Sequence, residues 1–104
     1  MEIEKNLKLT KLFDFYGVLL TERQQEIFRS YYFDDISLGE LSLTFGISRQ
    51  AVRDSLIKAE RSLLEFEKNL NEVSKYEKVL LWINENKDKL SKDEIENLLK
   101  IWEV

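Results

Sequence analysis

Residues 46 to 55 read GISRQAVRDS, and the fold turns on them. Gly46 reaches a left-handed turn conformation without steric cost, Ile47 can plug the angle between two helices, and Ser48 can cap a second helix with its hydroxyl. Just upstream, Ser37-Leu38-Gly39-Glu40 has the form of a capping box and opens a short helix to about Phe45. Helix, two-residue turn and capped second helix is the spacing of a helix-turn-helix. With Leu41, Ile47, Val52 and Leu56 inward, the second helix turns Arg49, Gln50, Arg53, Asp54 and Lys58 outward. Arg and Gln can make bidentate contacts to guanine and adenine, and a helix N-terminus offers N–H groups to phosphate. The candidate nucleic-acid-binding residues are therefore Ser48, Arg49, Gln50, Arg53, Lys58 and Arg61. The plain alternative is a helical hairpin turn with a solvated face.

Charge alone does not choose between them. The chain carries a net charge of −4; divided into residues 1 to 20, 21 to 47, 48 to 68 and 69 to 104, it is net-positive only in the third segment, with five cations against four carboxylates. Asp54 stands beside Arg53, and Glu22, Glu26, Asp34, Asp35 and Glu40 precede them. A broadly approaching phosphate backbone would meet repulsion, so only a narrow contact at the second helix is electrostatically easy.

Working outward, Thr21-Glu22-Arg23-Gln24 and Ser91-Lys92-Asp93-Glu94 are two more capping boxes, predicting helices to about Phe33 and Trp102. Leu9, Leu12, Phe13 and Tyr16 recur at helical spacing, which predicts a first helix over residues 5 to 17. Val52, Leu56, Ala59, Leu63, Phe66, Leu70 and Val73 alternate steps of four and three, the pattern of a helix-packing seam. A helix from Ser48 to about Leu70 would be roughly 33 Å long, more than a three-helix unit needs to cover. Residues 72 to 88 offer another amphipathic helix, and Asn69 and Asn71 leave open whether the chain breaks before it. The expectation is an all-α protein of five or six helices, with a helix-turn-helix domain at 1–68 and a helical C-terminal extension at 69–104. That extension would pack on the core or form a dimer interface.

Composition narrows the chemistry. There is no cysteine and no histidine, so disulfides, thiolate nucleophiles and the commonest zinc ligands are missing. No phosphate-cradling glycine loop and no nucleophile-base pair is present, so no enzymatic role, metal or cofactor is expected. Asp34-Asp35 lacks a third ligand nearby and reads as turn chemistry. The opening MEIEKNLKLTKLF has neither a basic start before an apolar run nor a small-residue cleavage site, and no window approaches the ~18 apolar residues of a membrane span. A soluble, cytoplasmic protein is expected. The aromatics of the first two thirds fall at helical spacing and read as core, with Tyr31 or Tyr32 the exceptions that would be exposed for base stacking. Leu98, Leu99, Ile101 and Trp102 form an apolar group that either folds back or meets a partner, including a second copy.

Residues 21 to 64, a capped helix, a tyrosine-rich junction, the turn GIS and a basic-tailed helix, resemble the promoter-binding fourth region of sigma-70-class factors. FDFYGVLLTERQQ, YYFDDISLGEL and GISRQAVRDSL, in that order, resemble the YlxM family of small bacterial helix-turn-helix proteins over roughly residues 7 to 70. That resemblance implies a cytosolic accessory of the signal recognition particle pathway, acting on its RNA, its GTPases, or both. Two other roles remain open: a protein-interaction module for such a GTPase, and a transcription regulator on duplex DNA.

Overall fold

The computed structural model describes residues 7 to 102. Among them are six α-helices and no strand: α1 Leu7–Tyr16, α2 Glu22–Tyr32, α3 Leu38–Phe45, α4 Arg49–Leu70, α5 Glu72–Asn86 and α6 Lys92–Leu99. The expected start of the first helix at residue 5 lies outside the described residues. Single 3-10 turns follow α1, α5 and α6, at Gly17–Leu19, Lys87–Lys89 and Lys100–Trp102. No described helix is long and apolar enough to cross a membrane. The described residues form two compact units that divide between Leu70 and Asn71.

In the first unit, α1, α2 and α3 all pack against α4. The capping boxes set the starts of α2 and α3. Gln24 N–H donates to the Thr21 hydroxyl at 3.1 Å while Thr21 N–H donates back to the Gln24 carboxamide at 3.0 Å, and Ser37 and Glu40 make the same exchange. Ile27, Tyr31, Leu41, Val52 and Leu56 make one buried cluster, which Ile36, Leu38, Phe45 and Ile47 flank. Each such large side chain taken out of water contributes about 1.5–3 kcal/mol. Phe28 is fully buried, its ring stacked on Phe13 at 4.6 Å and on Tyr32 at 4.3 Å. Leu9, Leu12 and Leu63 are buried as well.

The seam of α4 is buried at Val52, Leu56, Ala59 and Leu63, half-buried at Phe66 and exposed at Leu70. Tyr16 explains how far the packing reaches: its ring meets Phe66 at 5.9 Å and its hydroxyl donates to Glu67 Oε1 at 2.6 Å.

Two aromatic expectations change. Tyr31 is buried in the core cluster. Tyr32 is half-buried, and its hydroxyl donates to Glu60 Oε2 at 2.5 Å, so it ties α2 to α4 instead of offering a free ring. Burial, the hydrogen bond to Glu60 and the Glu60 charge together push the Tyr32 phenol above its ordinary range. Among the described aromatics of the first unit the exposed one is Phe33, which leans on Phe13 at 5.7 Å. After it the chain turns at Asp34-Asp35, where Asp35 has φ 59° and the Ile36 N–H donates to the Ser30 carbonyl.

In the second unit, Asn71 takes a left-handed conformation at φ 55° and starts α5 afresh, which settles the break between the two long helices. Val73 and Ile83 are its buried residues. Ser91 caps α6: the Ser91 N–H and hydroxyl hold the Glu94 carboxylate and keep its pKa below the usual range. Trp102 folds back on α5, edge-on to Tyr76 at 5.1 Å, with its indole N–H donating to Glu72 at 3.2 Å. Ile101 remains exposed.

Candidate nucleic-acid interface

The turn between α3 and α4 is held by one side chain that the sequence pattern did not single out. Gly46 sits at φ 66°, ψ 33°, and its N–H donates to the Ser42 carbonyl. Ile47 N–H donates to the same carbonyl at 3.2 Å, and the Ser42 hydroxyl donates to the Ile47 carbonyl at 2.5 Å. Ser42 thus clamps both ends of the turn, satisfying groups that a helix terminus otherwise leaves open. Its position four residues before the glycine was the available signal. Ser48 then accepts from Ala51 N–H at 3.0 Å, the N-cap bond expected of it.

Every candidate residue is exposed: Ser48, Arg49, Gln50, Arg53, Lys58 and Arg61. They do not form one cluster. A helix turns about 100° per residue, so Arg53 and Lys58 flank the outward face while Gln50, Asp54, Ile57 and Arg61 run along its middle. Arg49 bends back over α3. A methyl group placed on Gly39 would come within 2.9 Å of Arg49 Nη2 and 3.3 Å of its Cζ, so Gly39 is the gap into which the guanidinium lies. Gln50 is also tethered, its Nε2 donating to Asp54 Oδ1 at 2.9 Å. Lys58 and Arg61 border a shallow hollow of about 340 Å³ shared with Gln24, Ser62, Glu65 and Phe66.

Two neighbours add to the surface. Arg23 of α2 lies over the Phe45 ring at 5.0 Å, bringing another cation near the turn, and Ile57 is an apolar side chain partly exposed within the outward face. Ile57 falls outside the buried seam of α4, which a helical wheel reveals; Arg23 left no local sign. Among the described residues no carboxylate lies within salt-bridge distance of Arg49, Arg53, Lys58 or Arg61. In an acidic chain those four unpaired cations make α4 a face able to attract an anion.

An all-α helix-turn-helix protein with an exposed, cation-bearing second helix is the class that this geometry defines. The comparisons with known proteins agree. A family described as "Putative helix-turn-helix protein, YlxM / p13 like", UPF0122, matches residues 3–101, and the chain belongs to that family. It is 49% identical over 77 residues to a UPF0122 protein of Lacticaseibacillus casei, covering 74% of this chain and 68% of the relative. It is 42% identical over 95 residues to one from Halalkalibacterium halodurans, covering 88% and 87%. A relative from Symbiobacterium thermophilum is 41% identical over 88 residues, covering 85% and 82%.

Proposed function

We propose that the outward face of α4 binds nucleic acid and that the protein serves as a cytoplasmic accessory of the signal recognition particle pathway, meeting its RNA. The observation that carries the binding is the set of four exposed, unpaired cations on one helix, Arg49, Arg53, Lys58 and Arg61, within a chain whose net charge is −4. The pathway rests on the resemblance to the YlxM family. Contacts from about four cations give a salt slope of roughly −3 to −4, so binding is modest at physiological salt. A competition assay, signal recognition particle RNA against duplex DNA across a salt series, tests the reading. Preferential displacement by the RNA with that slope supports it; preference for particular duplex sequences would point to a sigma-like transcription regulator instead.

A second reading is favoured by a different observation. Leu81, Trp82 and Ile101 of the second unit are 65%, 50% and 71% exposed, a costly arrangement for large apolar side chains unless a protein covers them. A signal recognition particle GTPase or a second copy of the chain would do so. Retention of a purified GTPase by the wild type but not by a Trp82→Ala, Ile101→Ser variant supports the first, and sedimentation of the free protein as a dimer supports the second.

A further inference from the structure

We propose that Gln50 and Asp54 act together as a reader of unpaired guanine. This rests on the reading of α4 as the nucleic-acid face. Their hydrogen bond, Gln50 Nε2 to Asp54 Oδ1 at 2.9 Å, joins two exposed side chains one turn apart on the outward face. A carboxamide nitrogen carries two N–H groups and a carboxylate about four acceptor sites, so the pair keeps one N–H and both carboxylate oxygens to offer outward. In order, those are a donor, an acceptor and an acceptor. Cytosine's pairing edge has the same order, and guanine's O6, N1–H and N2–H complement it. Adenine, uracil and cytosine each present at least one mismatched group to that row.

The surroundings suit a base. A carboxylate on this face repels phosphate, so it gains from a nucleic acid only by meeting base N–H groups. Arg53, Lys58 and Arg61 stand around it for the flanking phosphates, and Ile57, partly exposed between Gln50 and Arg61, supplies apolar surface for a purine ring. Guanine's pairing edge is hidden in a duplex, so the partner is single-stranded or looped. That also avoids pressing two phosphate strands against the exposed carboxylates of Glu22, Glu26 and Glu40.

The probe is a fluorescein-labelled oligouridine with one central guanine, compared with its inosine counterpart, which lacks the N2 amino group, and with plain oligouridine. The wild type should bind the guanine oligomer about tenfold more tightly than plain oligouridine, with inosine between, in line with the discrimination of one bidentate base contact. Asp54→Asn keeps the bond to Gln50 but replaces one acceptor with a donor, so it should erase that preference while raising affinity for plain oligouridine. An equal rise for all three oligomers would overturn the inference, leaving Asp54 as a merely repulsive charge. Saturable binding of duplex but of no oligomer would overturn it while sparing the reading of α4; binding of neither would overturn both.

Discussion

The two units solve the same problem unequally. In residues 7 to 70 three helices share one long partner, and Phe13, Phe28, Leu41, Val52 and Leu63 fill the space among them. The unit from residue 71 onward relies on an edge-on aromatic pair, a Ser91 cap and the two buried side chains Val73 and Ile83, while Leu80, Leu81 and Trp82 stay exposed. Stability follows buried apolar area, so the first unit is the scaffold that can hold a recognition surface still. The second is the part with surface left to share.

Core truncation separates them most strongly. Phe28→Ala removes the ring stacked between Phe13 and Tyr32 and should cost about 3–5 kcal/mol in denaturant unfolding. Ile83→Ala should cost nearer 2 kcal/mol, because its surroundings are already partly open. Equal losses, with the same loss of cooperativity, would show that the units share one folding transition. Next comes the turn. Gly46→Ala meets open space but must hold φ 66°, so a loss of about 1 kcal/mol is expected in thermal unfolding.

The smallest effects differ in pH. The Tyr32 phenol is raised, so its contribution is complete below the ordinary phenol pKa of about 10 and fades as pH climbs toward the raised value. Tyr32→Phe should cost about 1 kcal/mol at neutral pH and progressively less in alkali. Glu94 is shifted the other way: its contribution is present above the unfolded carboxylate pKa of about 4.3 and fades as acid protonates it. On lowering pH the amide resonances of the α6 cap should therefore shift as Glu94 protonates, and Glu94→Gln should remove that pH dependence.

Much of this comparison was legible beforehand. The helix starts of α2, α3 and α6 could be read because a capping box is local, complete within four residues. Gly46, Ile47 and Ser48 were legible for the same reason. Tyr31 and Tyr32 were not, since their partners are distant in sequence: Tyr31 joins Leu41, Val52 and Leu56 in the core, and Tyr32 reaches Glu60, 28 residues away. Nor could spacing show that Arg49 lies in the gap at Gly39 or that Asp54 tethers Gln50, because side-chain direction depends on neighbours that periodicity does not describe. The site's residue types were visible in the sequence; their orientation was not.

The most direct test of the account is the salt dependence of binding to signal recognition particle RNA for the Arg49→Ala, Arg53→Ala variant beside the wild type. Both side chains are exposed and outside the core, so thermal stability should stay within about 0.5 kcal/mol. Affinity should fall, and the slope should shrink from roughly −3 or −4 to about −2. An unchanged affinity and slope would contradict the assignment of α4 as the nucleic-acid face.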